Sequence, residues 1–267
     1  MIKHIFSDMD GTLLDDECRI SEKNISVIKQ SQIPFTLVSA RSPVQMSEIV
    51  DTLGLDEPQI AFNGGVIFQE TQNGRRILQE NVVPLEDVRH IWQVLVNNLG
   101  SVNLSLFGAS DWYVEKMDKY VEKEAKYGGQ APTMVDFVSL LKQPDLKIYK
   151  IMMITPDVSE MKTLNEKVSQ LHLQGLNVLQ SSETYLEITN QKAQKSLGVQ
   201  YIQQLEHLEQ SDMAAFGDGY NDVSMLEEVG TPIVMENALP GVKDYGKYLT
   251  LDNNHDGVAY GIEKYLS

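Results

Sequence analysis

The sequence predicts an α/β protein whose parallel-sheet core is interrupted by an inserted α+β domain. Three observations predict it. Short apolar strand candidates at residues 2–6, 35–38 and 59–62 are each separated by a helical stretch, which is the alternation of right-handed β-α-β crossovers. The same alternation returns near residue 192 and runs to the end. Between the two halves the pattern changes to helices mixed with paired strands, the signature of an α+β layer with an antiparallel sheet. The expected division is therefore a core of residues 1–82 and 189–267 and an inserted domain of residues 83–188, with hinges near the two crossings.

The elements follow in order. Residues 2–6 run into Asp8-Met9-Asp10-Gly11-Thr12, where two carboxylates one residue apart meet a Gly-containing turn. Neither carboxylate can be buried unpaired in a sheet centre without a penalty of several kcal/mol, on the order of a buried charge. They belong at the strand's carboxyl end, where open α/β sheets keep their ligand crevice. Such a pair needs a cation between its members or a proton on one of them, unless it only closes a turn. Ser21 caps a helix carrying Ile25 and Ile28, and Pro34 stops it. The strand at 35–38 leads to Ser39-Ala40-Arg41, and Ser42-Pro43 opens a second helix. The strand at 59–62 ends in Asn63-Gly64-Gly65, and Asn73-Gly74 signals a hairpin between 66–68 and 76–82.

In the inserted segment, Pro84 opens a helix with Val88, Ile91, Trp92, Leu95 and Val96 at helical spacing. Strands are expected at 102–107 and 112–114, a polar helix at 116–126, and a loop at 128–132. A strand at 147–154, a helix capped by Thr155-Pro156 and a hairpin of 177–180 with 185–189 complete it. Trp112, Tyr113, Tyr120, Tyr127, Tyr149 and Tyr185 can line a sugar site, although aromatics on such elements more often pack a core. The core then resumes with a helix at 192–208 and a strand at 213–216 ending in Gly217-Asp218-Gly219-Tyr220-Asn221-Asp222. A helix with Met225 and Leu226, strands at 231–235 and 248–251, and a C-terminal helix through Ile262 and Leu266 finish the chain.

Composition narrows the function. Lys and Arg number 22 against 38 Asp and Glu, and the net charge of -16 opposes binding to nucleic acid or an anionic membrane. Any phosphate ligand must be small and met by local positive charge. No apolar run approaches the roughly 18 residues of a membrane span. Residues 1–8 run straight into the first strand without a secretory-type apolar stretch, and the single Cys18 cannot form an intramolecular disulfide, so the expectation is a cytoplasmic protein.

If the strands at 2–6, 35–38 and 213–216 are neighbours, their carboxyl ends gather Asp8, Asp10, Ser39, Asp218 and Asp222. That cluster suits a hard cation such as Mg²⁺, which takes oxygen ligands. Taken alone, Gly217-Asp218-Gly219 can be a tight turn, but a turn needs no second carboxylate four positions on.

These residues resemble the haloacid dehalogenase superfamily. Asp8-Met9-Asp10-Gly11-Thr12-Leu13-Leu14 is similar to its first motif, the hydroxyl of Ser39-Ala40-Arg41 to its second, Lys195 to its third, and Gly217-Asp218-Gly219-Tyr220-Asn221-Asp222-Val223-Ser224-Met225-Leu226 to its fourth. Asn63-Gly64-Gly65, Met235-Glu236-Asn237-Ala238 with Lys243, and residues 253–258 resemble the Cof-type phosphatases within it, and the insertion lies where that group carries a type IIB cap. The resemblance implies a Rossmann-like core and a Mg²⁺-dependent phosphatase of small phosphorylated metabolites, sugar phosphates first. Asp8 is then the nucleophile that forms an aspartyl-phosphate, and Asp10 the general acid and base. Ser39 and Lys195 hold the phosphoryl oxygens, with Gly11 and Asn221 lining the same phosphate. Mg²⁺ is held by the Asp8 carboxylate, the Asp10 main-chain carbonyl and Asp218, with Asp222 acting through water or orienting the others. Arg41, Asn63, Asn237, Lys243 and Asn253 are secondary candidates. Ala40 and Ser196 stand where glycine is commoner, and neither change removes a reacting group. The alternatives are a sugar phosphomutase and a non-catalytic regulatory protein on the same fold. A monomer or weak homodimer is expected.

Overall fold

The computed structural model of the chain describes residues 1–96 and 101–266. It begins with β1 (His4–Ser7), α1 (Glu22–Ser31), β2 (Phe35–Leu37), α2 (Pro43–Leu53), β3 (Gln59–Ala61), β4 (Val66–Thr71) and β5 (Gly74–Glu80). There follow α3 (Leu85–Val96), β6 (Asn103–Phe107), β7 (Trp112–Val114), α4 (Lys119–Gly128), β8 (Thr133–Met134), α5 (Phe137–Leu140), β9 (Lys150–Ile154), α6 (Val158–Ser169), β10 (Leu176–Ser182) and β11 (Tyr185–Asn190). The chain ends with α7 (Lys195–Glu206), β12 (Met213–Gly217), α8 (Val223–Glu228), β13 (Thr231–Val234), β14 (Tyr248–Leu249) and α9 (Gly257–Gly261). Two compact units result: Met1–Arg41, Met46–Glu80 and Ala193–Ser267 form the first, and Ser42–Gln45 with Asn81–Lys192 the second. No helix among the described residues is long and apolar enough to cross a membrane.

In the first unit, β1 lies between β12 and β2 in a five-stranded sheet ordered β14-β13-β12-β1-β2, and every neighbouring pair is parallel. β1 and β12 are buried throughout, as strands covered on both faces must be. The one polar side chain that this imposes on β1 beyond its serine, His4, is satisfied. Its ring nitrogens lie 2.8 Å from Glu206 Oε2 and 2.9 Å from Thr36 Oγ1, and the ring stacks on Phe6. Phe6, Val38, Ile60, Ile67, Val199 and Ile202 belong to the apolar core of this unit.

The third strand departs from the expected parallel sheet. β3 pairs antiparallel with β4 in a separate sheet of β3, β4 and β5, and its backbone ladder to the strand before Ser39 is reduced to one parallel bridge, Val38 with Ile60. The buried Gln59 side chain explains this. Its Oε1 accepts from Leu37 N at 2.8 Å and its Nε2 donates to Phe35 O at 3.4 Å, so an amide side chain takes ladder positions that a neighbouring backbone would fill. The Asn73-Gly74 hairpin is present between β4 and β5.

The second unit is a six-stranded sheet ordered β10-β11-β9-β6-β7-β8, antiparallel except for β7 against β8. Val88, Ile91, Leu95, Leu106, Ile151, Leu164 and Ile188 pack its core; the contact expected of the Val96 side chain lies outside the described residues. β8 and α5 are absent from the expected order because two and four residues are too short to show a period. Two helix starts also differ from expectation. Asp118 and Asp157, not residue 116 and not Thr155-Pro156, cap α4 and α6, each carboxylate accepting from two backbone N–H groups of the first turn. Trp112 and Tyr149 are buried, and Trp112 stacks on Phe107 at 5.2 Å, whereas Tyr127 is exposed.

A close approach within the first unit sets the start of α7. Gly64 has φ +98°, and a Cβ there would lie 2.5 Å from the backbone carbonyl of Gln194, the residue that precedes Lys195. Gly64→Ala therefore meets both a left-handed backbone and a main-chain clash, and we expect a loss of about 1–3 kcal/mol in urea unfolding. An unchanged midpoint and slope would contradict the packing described.

Candidate active site

Register brings the site together. Ser7 of β1 stands beside Phe216 of β12, and Asp8 N donates to Phe216 O at 3.0 Å, so the residues that follow the two strands emerge side by side. These are Asp8 and, after Gly217, Asp218. Asp8, Asp218 and Asp222 each offer a carboxylate oxygen, and these oxygens lie within 4.8 Å of one another. The Asp10 carboxylate is outside that group.

Lys195 is the first residue of α7, its side chain fully buried. Its Nζ donates to Asp8 Oδ1 at 2.5 Å and to Asp222 Oδ1 at 2.6 Å. The other Asp222 oxygen accepts from the backbone N–H groups of Asp218 and Gly219 at 2.9 and 2.8 Å. Asp222 thus ties the lysine to the loop that carries Asp218. Thr12 Oγ1 donates to Asp218 Oδ1 at 2.7 Å from the opposite loop. Gly11 lets that loop approach: its φ is +77°, and a Cβ would fall 2.6 Å from Asp218 Oδ2.

Asp10 belongs to a second pair. Arg41 Nε donates to Asp10 Oδ2 at 2.9 Å and Nη2 to Oδ1 at 2.5 Å, a bidentate clamp. Ser39 is buried at the end of the β2 segment, and its hydroxyl accepts from Arg41 N at 3.1 Å. Asn63, left-handed at φ +55°, donates its N–H to Ser39 O, while Phe62 N donates to Arg41 O.

The secondary candidates divide. Asn237 Nδ2 donates to Gly11 O at 2.8 Å and its Oδ1 accepts from Asn253 N, while Asn253 Nδ2 donates to Leu14 O and Asp16 Oδ1. These two amides hold the loop after β1 in place. Asn221, exposed, donates to Asn63 Oδ1 at 3.4 Å, and Lys243 is exposed on a short 3₁₀ turn. Sequence reasoning gave Thr12 no part beyond the turn and did not name Asp10 as the acid that Arg41 pairs with. The first had a signal in the hydroxyl that directly follows Gly11; the second had none in the spacing of residues 10 and 41.

Three carboxylates face one ammonium here. Burial, and next the Asp222 charge, raise the Asp8 carboxyl well above the ordinary range, while Lys195 works against them. Burial opposes charge on Lys195 as well, yet Asp222 and Asp8 outweigh it and hold the ammonium above the usual lysine value. Burial also pushes Asp218 up to about 6, against the Thr12 hydrogen bond. The excess of hard oxygen donors over positive charge fits a divalent cation of the Mg²⁺ class.

A sequence model of the haloacid dehalogenase-like hydrolases matches residues 5–262. This chain belongs to that family. The hydrolase is 28% identical to the Bacillus subtilis 5-amino-6-(5-phospho-D-ribitylamino)uracil phosphatase YwtE, covering 100% of the chain and 99% of that protein. It is 25% identical to a second B. subtilis phosphatase of the same description, YcsE, covering 99% and 96%. Among solved structures, a haloacid dehalogenase-like hydrolase from Bacteroides thetaiotaomicron superposes with a TM-score of 0.89 at 27% identity, covering 99% of each chain.

The Asp218 carboxyl supplies a pH test of cation binding. Its folded value of about 6 lies above its ordinary 3.8, so the folded chain binds the extra proton between those values. The stability tied to this group is therefore greatest below the window and falls as pH rises through it. A cation must displace that proton at low pH and meets an ionised carboxylate at pH 7. We expect Mg²⁺ to raise the melting temperature clearly more at pH 7 than at pH 5; equal shifts would contradict an Asp218-centred cation site.

Proposed function

We propose that this hydrolase is a Mg²⁺-dependent phosphatase that cleaves small phosphorylated metabolites through an aspartyl-phosphate on Asp8. The observation that carries this is the buried Asp8 carboxylate, anchored through one oxygen by Lys195 and gathered with the Asp218 and Asp222 carboxylates at adjoining strand ends. Family membership and two B. subtilis relatives named as phosphatases support the same reading. Their named substrate carries its phosphate on a ribityl chain, which favours phosphorylated sugars and sugar alcohols here. The large net negative charge favours a small substrate over a polyanion.

In this reading an Asp8 oxygen attacks phosphorus and the bond from phosphorus to the substrate oxygen breaks. Asp10 gives its proton to the leaving alcohol. Asp10 then takes a proton from the water that attacks the aspartyl-phosphate, which releases inorganic phosphate and restores Asp8. Lys195 stabilises charge on the phosphoryl oxygens, and Ser39, Gly11 and Asn221 complete their contacts. Asp8, Asp218 and the Asp10 main-chain carbonyl would hold Mg²⁺, with Asp222 orienting Lys195 and the Asp218 loop. When bound, the cation offsets negative charge on nucleophile and phosphate together.

Turnover of p-nitrophenyl phosphate and a panel of sugar and sugar-alcohol phosphates tests this reading. We expect release of inorganic phosphate that requires Mg²⁺ and falls by about six orders of magnitude in Asp8→Asn, the scale of losing a covalent nucleophile. Isomerised sugar phosphate without phosphate release would instead indicate a phosphomutase. No turnover across the panel would indicate a regulatory protein.

A further inference from the structure

We infer that Arg41 is a positioning residue for Asp10 that serves the second half of the reaction, the hydrolysis of the aspartyl-phosphate; this rests on the phosphatase reading above. The inference starts from how completely Arg41 is fixed. Its backbone N–H donates to Ser39 Oγ at 3.1 Å, its carbonyl accepts from Phe62 N at 2.9 Å, and its guanidinium is largely buried. Ser39, one turn of chain before it, is held in the same way by Asn63 N. A guanidinium on so constrained a backbone is a rigid fork, and a rigid fork fixes both the position and the plane of the carboxylate it binds.

Asp10, whose backbone bridges to Leu14 in the same loop, takes the fork on its carboxylate. It lies directly before Gly11, at the start of the loop that joins β1 to α1, and its side chain is one-third exposed. The clamp fixes the plane and position of that carboxylate. A general base gains most from this, because the water it activates must be in line with phosphorus and the catalytic oxygen within hydrogen-bond reach of that water. Each carboxylate oxygen has two acceptor sites and the fork takes one on each, so the clamp does not use up the carboxylate's capacity to receive a proton. The geometry presents a carboxylate with both oxygens accepting, which is the form required when water gives up its proton.

The two half-reactions can be separated with p-nitrophenyl phosphate. Its p-nitrophenolate leaves without help from an acid, so the first step reports on Asp8, Lys195 and the cation, while the second still needs Asp10 as base. In stopped-flow measurements on Arg41→Met we expect a burst of p-nitrophenol close to the wild-type rate, followed by a steady state slowed about 10- to 100-fold, the scale of a misplaced catalytic group. Arg41→Lys, which keeps charge and most of the volume but loses the fork, should fall between. In an Asp10→Asn background, adding Arg41→Met should change the steady state less than twofold, because Arg41 then has no base to position.

A burst phase slowed as much as the steady state, or equal losses from Arg41→Met with and without Asp10, would overturn the inference. Wild-type near-UV circular dichroism for Arg41→Lys keeps the comparison valid if Arg41→Met folds poorly. Failure of the wild-type enzyme to release p-nitrophenol would instead remove the phosphatase reading, and this inference with it.

Discussion

The structure depends on one buried ammonium. Lys195 Nζ lies between the Asp8 and Asp222 carboxylates with no exposed surface of its own, and among the described residues nothing else in the hydrogen-bond network of those two aspartates carries a full positive charge. Removing three ions from water costs several kcal/mol each, and only close, well-oriented pairing repays it. Burial opposes charge on Asp8 and on Lys195 alike; it prevails at Asp8, and the carboxylate partners prevail at Lys195. A fold seeking stability alone would fill this space with apolar side chains. The arrangement makes sense as a poised site, in which a nucleophilic carboxyl group is kept out of water and oriented by the ammonium.

That ammonium also explains why the two chain ends must meet. Asp8 follows β1, Lys195 opens α7 and Asp222 precedes α8, and the parallel pairing of β1 with β12 is what brings them together. Gly11 and Gly64 serve the same convergence, the first by admitting Asp218 and the second by admitting the turn before Lys195. Charge is then divided between two groups. Lys195 governs Asp8 and Asp222, while Arg41 governs Asp10, so the two aspartates of the opening motif sit in different electrostatic surroundings although one residue separates them.

Much of this was legible in the sequence because the informative residues are local. Asp8-Met9-Asp10-Gly11-Thr12 and Gly217-Asp218-Gly219 combine strand ends, turn residues and carboxylates within a few positions, and the alternation of strands and helices places them on one sheet edge. Lys195 was legible only through its register after the strand at 185–189, since nothing in a single lysine marks it as buried. What the sequence did not show are side chains that act across long separations. Gln59 completing the backbone bonds of β2, Asp222 using both oxygens at once, and Arg41 reaching Asp10 all depend on distances that no periodicity encodes. Short elements such as β8 and α5 escaped for a different reason, because their stability comes from neighbours and an Asp136 cap more than from a pattern of their own.

The most direct measurement of the central interaction is a double-mutant cycle in the metal-free protein, with Lys195→Met, Asp222→Asn and the combined variant followed by urea unfolding at pH 7. If the ammonium neutralises Asp222 in the buried site, Lys195→Met alone should cost about 3–5 kcal/mol, and the combined variant should recover about 2 kcal/mol or more relative to the sum of the single losses. Losses that add to within about 0.5 kcal/mol would contradict the account, because they would mean that the two charges do not depend on each other.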